Sequence, residues 1–395
     1  MIDLAALGTP GVYIDEVPKL PPSVAQVATA IPTFIGYTRN GELNGESLLN
    51  TPVRIGSMVE YESVFGARVE TVAVQATSGS AGAEIAITGP GTFFRMYYTL
   101  QLYFANGGGS CYIVSIGPDD GSETITDAAH VAGLNAIARE DEPTLLVFPD
   151  AEGIQDAEKF YGVYQQALAQ CESLKDRFLI CDIFNGQLDF RKPGGTDVIN
   201  DTATGIRTRI GTGGLRYGAA YYPHLETTLS YQYDEMDVDV TGSAVPVGAV
   251  LRKPETATDA EKESSLFHSF NDLYHQIRAA IAALPIVLPP GGAMAGVYAA
   301  IDATRGVWKS PANVSLKYVK KPAVDIDDEN QKDLNVHTTG KSVNAIRRFT
   351  GKGTLVWGAR TLDGNSNEWR YVSVRRFFNM VEESTKKATE PFVFE

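Results

Sequence analysis

The sequence predicts an α/β protein, a mixed but largely parallel sheet covered by helices. Two observations lead to this prediction. Short apolar runs typical of buried strands occur as TFIGYT, CYIVSI, TLLVFPD and RFLICDI. Between the last two runs, apolar residues from Phe160 to Cys171 recur at helical spacing. Strands that alternate with helices in this way form parallel sheets with helices packed on their faces.

The other elements of the first half follow in chain order. SMVEYESVFG, residues 57–66, predicts a short helix, and the Ala-, Gly-, Ser- and Thr-rich residues 66–91 predict a small β insertion or exposed loop. The next helix carries the apolar residues Met96, Leu100, Tyr103 and Phe104 on one face. It ends at NGGGS, because glycine readily adopts the left-handed conformation that closes a helix.

The second half contains two polar, acidic stretches, residues 185–200 and 231–260, which we expect to be surface excursions. A long helix is predicted from Leu266 to Ile281, where apolar residues stay in register. PPGG then breaks the chain before a helical stretch, AMAGVYAAIDATRG.

Residues 9–22, TPGVYIDEVPKLPP, predict an extended arm. Proline before and after the β-branched residues disfavours a helix, and the next strand-like run begins only at Pro32. The backbone of such an arm either frays or pairs with another chain. We therefore expect an inter-subunit role for Gly11, Val12, Tyr13, Ile14, Asp15, Glu16 and Val17.

Composition limits the classes of function. A formal charge of −14 argues against nucleic acid as a partner, because phosphate binding needs concentrated positive charge. No apolar window approaches the ~20 residues that cross a bilayer, and the first residues do not resemble a signal peptide. Cys111, Cys171 and Cys181 each lie alone in an apolar run, as expected for reduced core residues made in the cytosol.

The sequence nominates no catalytic, cofactor-binding or metal-binding residue. The glycine-rich NGGGS and GTGGLR follow predicted helices, the wrong order for a nucleotide fingerprint. DIDDENQKD lacks the glycine and terminal glutamate of a calcium loop and predicts an acidic loop. The histidines form no HxxxH or HExxH pair, and there is no GxSxG elbow. We expect no enzyme; an α/β enzyme with a small-molecule pocket at the strand C-termini is the alternative.

Two further stretches carry unusual combinations of residues. In AGVYAAIDATRGVWKSPAN, Asp302 and Arg305 are spaced to pair near a helix end, and Trp308 is a candidate anchor. Asn313 and Trp357 complete this set of structural positions. Arg360 follows the strand-like TLVWGA, and Arg375 and Arg376 are expected at a strand-to-helix switch after WRYVSV. Arginine mixed with Trp, Tyr and Phe is enriched at protein interfaces, although such arginines also snorkel over aromatic cores.

Five ordered stretches resemble the contractile tail sheath family of myovirus tails and phage-tail-like injection machines. They are PGVYIDEV, VATAIPTFIGYT, YFANGGGSCYIV, AGVYAAIDATRGVWKSPANV and NAIRRF…GTLVWGARTL…WRYVSVRRFFN. The resemblance reaches from residue 9 to the last residue and is interrupted by the insertions named above. The combination is more similar to the simple sheaths of extracellular contractile injection systems and related phages than to type VI secretion sheaths.

The resemblance implies a structural subunit that stacks in six-fold rings around an inner tube and contracts to drive the tube through a target envelope. It implies contacts with other copies, the tube, the baseplate and a terminator or cap protein, with no cofactor and no insertion into a membrane. Assembly is expected in the bacterial cytoplasm, in a virion tail or a released particle. GVYIDEV takes the position of the strand that family members donate to neighbours, and Arg360, Arg375 and Arg376 become candidates for tube-facing or inter-subunit contacts.

The resemblance also suggests a division of the chain. We expect residues 1–26 to form the N-terminal arm and linker, and residues 27–340 to form the main domain with its surface insertions. Residues 341–395 correspond to the start of the tube-facing domain. Family members usually continue beyond the position of EPFVFE, so this last domain is expected to be incomplete in these residues.

Overall fold

The computed structural model describes residues 24–79, 82–89, 94–121, 124–192 and 195–393. It confirms the predicted α/β class, with a large mixed sheet between layers of helices. Every helix in these ranges is too short or too polar to cross a bilayer.

The strands of the described ranges are β1 (Pro32–Thr38), β2 (Glu42–Leu43), β3 (Glu46–Ser47), β4 (Pro52–Ile55), β5 (Ala73–Gly79), β6 (Gly82–Thr88), β7 (Cys111–Pro118), β8 (Leu145–Val147), β9 (Phe178–Cys181), β10 (Gly218–Tyr222), β11 (Leu225–Thr227), β12 (Asp239–Thr241), β13 (Ala249–Val250), β14 (Val287–Leu288), β15 (Val314–Ser315), β16 (Val319–Pro322), β17 (Val343–Phe349) and β18 (Gly353–Val356). The α-helices are α1 (Met58–Phe65), α2 (Met96–Ala105), α3 (Asp127–Ile137), α4 (Ala157–Leu174), α5 (Ile206–Arg209), α6 (Asp259–Lys262), α7 (Leu266–Ser269), α8 (Asn271–Ala283), α9 (Gly291–Arg305), α10 (Asp328–Asn335) and α11 (Val372–Thr389).

The central sheet has nine strands in the order β15-β18-β17-β10-β9-β8-β1-β7-β4. The strands from β17 to β7 in this order run parallel to one another, and antiparallel strands lie at the two margins. All residues of β1 are buried. A strand covered on both faces has no polar side, which explains why TFIGYT does not alternate between apolar and polar residues.

The two faces of the central sheet are covered by different helices. Ile35 and Tyr37 of β1 point into a core that α3 and α4 complete, whereas Phe34 points into the core that contains α2 and α9. The last two helices pack closely because Gly296 has no side chain. A Cβ at this position would lie 2.5 Å from the backbone oxygen of Tyr103.

A smaller sheet, β13-β12-β5-β6, joins two stretches that are distant in the sequence. β12 pairs in parallel with β5, so that Val240 lies opposite Val74. Ile277 and Ile281 of α8 are buried in the same core as these two valines. Residues from both the predicted β insertion at 66–91 and the polar stretch at 231–260 therefore contribute to one packed unit.

Three local predictions differ from the structure. The helix expected from Leu266 to Ile281 is two helices, α7 and α8, because Phe270 leaves the helical conformation at φ −137° and ψ 56°. The acidic stretch expected to be a loop forms α10 instead, since Asp327 caps it by accepting the Asn330 N–H at 2.8 Å. WRYVSV, expected to be a strand, already enters α11 at Val372.

Candidate inter-subunit site

The residues expected to donate a strand, Gly11 to Val17, lie outside the described residues. The structure shows how the chain that follows them is held. We call residues 24–31 the root segment. The Val27 N–H donates to the Ser384 hydroxyl at 3.1 Å, and the Ile31 N–H donates to the Thr144 hydroxyl at 2.9 Å. The root segment is thus fixed between α11 and the start of β8.

Arg376 connects the root segment to two helices. Its guanidinium makes a bidentate ion pair with the Asp302 carboxylate of α9, with a shortest distance of 2.6 Å, and donates to the Thr29 backbone oxygen at 2.6 Å. The Thr29 hydroxyl donates to the same carboxylate at 2.6 Å. The two charged side chains are 4% and 5% exposed, and the Tyr298 ring lies 4.6 Å from the guanidinium.

This arrangement gives Arg376 an intrachain role. A guanidinium fork is well matched to a carboxylate, and burial makes each partner dependent on the other. A contact of Arg376 with another subunit stays a prediction. The expected pairing of Asp302 with Arg305 was wrong: Asp302 pairs with Arg376, and Arg305 lies exposed at the end of α9.

Arg375 is also buried, at 2% exposure. It donates to Asn379 at 2.7 Å and to Glu382 at 2.8 Å, both on α11. Its guanidinium lies 4.3 Å from the Trp369 ring centroid and 4.9 Å from that of Tyr217. Arg375 therefore packs over aromatic rings of its own chain, and an inter-subunit role for it stays a prediction.

Arg360 differs from the other two arginines because it is only half-buried. Its backbone N–H donates to the Asn344 side chain at 2.7 Å, and its guanidinium donates to the Gly364 oxygen at 3.0 Å. The guanidinium lies 5.9 Å from the ring of Tyr371, which is 48% exposed. This pair forms a basic and aromatic surface that is open to a partner.

The remaining structural positions shape the connections after α9. Gly306 follows the helix at φ +87°, a conformation that favours glycine, and the exposed indole of Trp308 packs against it. Asn313 has φ +58° and donates its N–H to the Val356 oxygen at 2.7 Å, at the edge of β18. Trp357 is 36% exposed and packs on Phe349 with ring centroids 4.7 Å apart.

Helix α11 carries apolar residues on its outer side and polar residues on its inner side. The buried positions include Arg375, Arg376, Asn379, Glu383 and Ser384. We define the apolar face of α11 as Val374, Phe377, Phe378 and Val381, spaced i, i+3, i+4 and i+7. Phe378 is 41% exposed and Val381 39% exposed. An ordinary surface helix has the opposite polarity, so this face is suited to contact with another segment.

Two important features of this site were not predicted from the sequence. Thr29 had no predicted role, and the contact of Asp302 with Arg376 was not expected, because neither spacing nor composition indicates a contact across 74 positions. The inverted polarity of α11 was readable in principle, since the apolar spacing from Val374 to Val381 is helical. It was hidden by the expectation of a strand at WRYVSV.

The carboxyl edge of the parallel strands, where an α/β enzyme would bind its ligand, is occupied by the chain itself. Beside β1, where the strand order reverses, the buried Asp150 accepts the N–H groups of Tyr37 at 2.8 Å and Arg95 at 2.5 Å. The Asp150 carboxylate also lies so close to Gly36 that a Cβ added at Gly36 would collide with it. Burial raises the pKa of Asp150 to about 6.

A second buried carboxylate closes the next part of this edge. Asp182, directly after β9, accepts the Gly291 N–H at the start of α9 at 2.8 Å, and burial raises its pKa to about 8. Asp150 and Asp182 thus attach helix starts to the sheet. No group of His, Cys, Asp and Glu suited to a metal ion occurs in the part of the chain that the structure describes.

Comparison with known proteins gives one relative and several structural neighbours. No family model matches the chain. The tail sheath protein of Vibrio phage KVP40 (isolate Vibrio parahaemolyticus/Japan/Matsuzaki/1991) is 28% identical over 111 residues, which is 27% of this chain and 16% of the relative. The match therefore spans well under two thirds of that relative's length.

The structural similarity extends over nearly the whole chain. A chain of the six-fold symmetrised anti-feeding prophage (AFP) baseplate is 29% identical with a TM-score of 0.57, over 98% of this chain and 78% of that chain. A chain of the PVC sheath complex, an extracellular contractile injection system in its contracted state, is 26% identical with a TM-score of 0.58, over 98% of this chain and 76% of that chain. Along this length the chain is similar in both fold and sequence to chains of contractile injection systems, and over a shorter stretch to a phage tail sheath protein.

Proposed function

We propose that this chain is the structural subunit of a contractile sheath and performs no catalysis. The observation that carries the proposal is its similarity, over 98% of its length, to a chain of the PVC sheath complex in the contracted state. In this proposal, copies stack as six-fold rings around an inner tube. Contraction then drives the tube through a target envelope.

The proposed energy source is the difference between two sets of subunit contacts. A metastable extended lattice shortens when a baseplate trigger breaks the first contacts, and better contacts form ring by ring. Packed interfaces with two discrete arrangements support such a change without nucleotide hydrolysis. The proposed partners are other copies, the baseplate, the inner tube and a terminator or cap protein, in particles assembled in the bacterial cytoplasm.

Two features of the described residues support a subunit that is completed by assembly. The root segment is held by Ser384, Thr144 and Arg376, so strand donation by Gly11–Val17 would link neighbours to a firmly fixed point. Arg360 and Tyr371 form an open basic and aromatic surface at the same C-terminal region. We propose Arg360 as the inter-subunit or tube-facing residue of the three arginines.

The alternative, an α/β enzyme, has less support. Its pocket would lie at the carboxyl edge of the parallel strands, where Asp150 and Asp182 instead bind the chain's own N–H groups. Such an enzyme would form a defined small oligomer, and its ligand would raise the melting temperature.

The decisive experiment is negative-stain electron microscopy of native particles with an antibody raised against this chain. Labelled striated cylinders, some long and narrow and others short and wide, are expected. Unlabelled cylinders, with the antibody following a small soluble oligomer, would refute the sheath proposal.

A deletion tests the arm separately. A variant lacking residues 1–22 should fold, with an unchanged circular dichroism spectrum, and should fail to polymerise. Arg360→Ala serves as a milder variant and should weaken assembly without unfolding the subunit. Normal sheaths from the deletion variant would rule out strand donation by the arm.

A further inference from the structure

We propose that the outer edge of β6 binds β6 of a second copy, so that two unassembled subunits pair through one continuous sheet. The inference goes beyond the sheath function because it concerns subunits outside the sheath. A two-fold contact turns its two copies in opposite directions, whereas all copies in a polar stack of rings point the same way. Failure of this proposal therefore leaves the sheath proposal intact.

The small sheet has one closed edge and one open edge. At the closed edge, the Val250 N–H of β13 donates to the Ser264 oxygen at 3.1 Å, and Val250 also forms a bridge with Ser265. At the other edge, β6 pairs with β5 along its whole length, and no described residue pairs with its outer side. Such an edge strand presents unpaired N–H and C=O groups to another chain.

The open edge belongs to a unit that packs separately from α11. From Arg376 onwards, the hydrogen bonds and ion pairs of α11 to other elements reach Val27, Thr29, Asp141, Arg177 and Asp302. None of these residues belongs to the small sheet or its core. β6 instead packs on α8, because Ile85 and Ile87 are partly buried against the core that contains Ile277.

β6 lacks the features that protect an edge strand from another chain. Its seven residues, GAEIAIT, include no proline and no basic residue, and its register with β5 has no bulge. The margin of the central sheet differs, since β4 has only four residues and two of them are Pro52 and Arg54. Short length, proline and charge discourage strand pairing. β6 is therefore open to pairing in a way that β4 is not.

The sequence of β6 is complementary to itself in the antiparallel direction. Residues directly opposite each other in an antiparallel pair lie on the same face of the sheet. With Ala86 opposite Ala86 of the second copy, Ile85 lies opposite Ile87 on the partly buried face. On the exposed face, Glu84 lies opposite Thr88. Both of these pairs occur twice, β-branched residues meet each other, and no like charges meet.

Other arrangements of the two strands fit less well. A shift by two residues places Ala83 opposite Ile87 and loses the pairing of isoleucines. A parallel arrangement in register places the two copies of Glu84 side by side, which is unfavourable. A second copy in the antiparallel register is therefore the occupant that this edge fits, and an extended segment of an unrelated protein is the competing occupant.

The paired sheet has eight strands, with α8 of each copy packed on the same face. The contact is limited to one pair of strands, whereas standard stable interfaces bury about 800 Å² per partner. We therefore expect a weak dimer that dissociates on dilution. In this dimer the open edge of each copy is occupied, so that neither copy offers it to a third chain.

Charge substitutions at Thr88 test the contact and its register. Thr88 is exposed and lies opposite Glu84 in the proposed pairing. Thr88→Glu should raise the dissociation constant of the dimer about five-fold, and Thr88→Lys should lower it about five-fold, because each change acts at two cross-strand pairs. Sedimentation equilibrium of subunits separated from sheaths by centrifugation measures both values. A monomer at every concentration, no shift, or shifts in the same direction overturns the proposal.

Disulfide formation tests the position of the two-fold axis. Ala86→Cys should give a disulfide-linked dimer with oxidised glutathione, since opposite residues of an antiparallel pair have Cβ atoms about 4.5–5.5 Å apart. Gln75→Cys is the matched control, because Gln75 is exposed on the same face and lies opposite Ala86 on β5, one strand further from the axis. The native cysteines are buried. Equal linking of the two variants, or no linking of Ala86→Cys, contradicts the proposed axis and overturns the proposal.

Discussion

Replacing Arg376 by methionine should destabilise the subunit strongly. Methionine keeps an unbranched apolar side chain at this position and removes the guanidinium group. After the substitution, the Asp302 carboxylate, which is 5% exposed, loses its charged partner and keeps the hydrogen bond from the Thr29 hydroxyl. It also removes the donor to the Thr29 backbone oxygen. Loss of one partner from a buried ion pair costs about 3–5 kcal/mol. We therefore expect the free energy of unfolding to fall by about 3–5 kcal/mol.

Urea denaturation at pH 7, followed by circular dichroism, measures this loss. The m-value should stay constant, because the same surface is exposed on unfolding. The double variant Arg376→Met, Asp302→Leu should be more stable than the sum of the single effects predicts, since no charge remains buried alone. Arg348→Met is the control: this side chain is 55% exposed, 3.7 Å from Asp325, and should cost less than about 1 kcal/mol. A loss below about 1 kcal/mol for Arg376→Met, or strict additivity in the double variant, would refute the reasoning.

Three further outcomes are expected from buried groups. The raised pKa of Asp182, about 8, means that the parent loses stability as pH rises from about 4 to 8, because the folded protein must give up a proton that the unfolded chain has already lost. Asp182→Asn does not titrate, so it should gain stability relative to the parent over this range, by at most about 1.4 kcal/mol per pH unit. Urea titrations at several pH values measure the difference. Burial lowers the pKa of His130 to about 4, so His130→Phe should gain relative stability as pH falls from about 6.5 to 4, measured in the same way. Gly296→Ala should cost about 1–3 kcal/mol by colliding with the Tyr103 backbone, whereas Gly162→Ala, with open space around its Cβ, should stabilise α4 by about 0.5–1 kcal/mol in thermal melts.

The parts of the fold that the sequence predicted correctly are those with a strong local signal. β1 was predictable because the run contains β-branched and aromatic residues and no charged residue, as expected for a strand that is buried along its whole length. α2 was predictable from its periodic apolar residues and from the glycines after it, of which Gly107 has φ +98°. α10 was missed because its acidic composition concealed the cap that Asp327 provides.

Contacts between distant parts of the chain were beyond prediction from one sequence. The pairing of Val74 with Val240 joins two stretches that each resemble an independent surface excursion. The partner of Asp302 was assigned to the nearby Arg305 because local spacing is the only guide that a sequence offers. The tertiary fold instead brings Arg376 to it, and this contact determines how the root segment is held.

The position of β1 has a mechanical consequence. β1 follows the root segment directly and is hydrogen-bonded on both sides to parallel strands, β7 and β8. Tension applied through the N-terminus along this strand loads its backbone hydrogen bonds in shear, all together, and does not peel them apart one by one. Force that passes the contacts of the root segment with Ser384, Thr144 and Arg376 therefore enters an interior strand of the central sheet and spreads sideways through its neighbours. The small sheet formed by β13, β12, β5 and β6 stays off this load path.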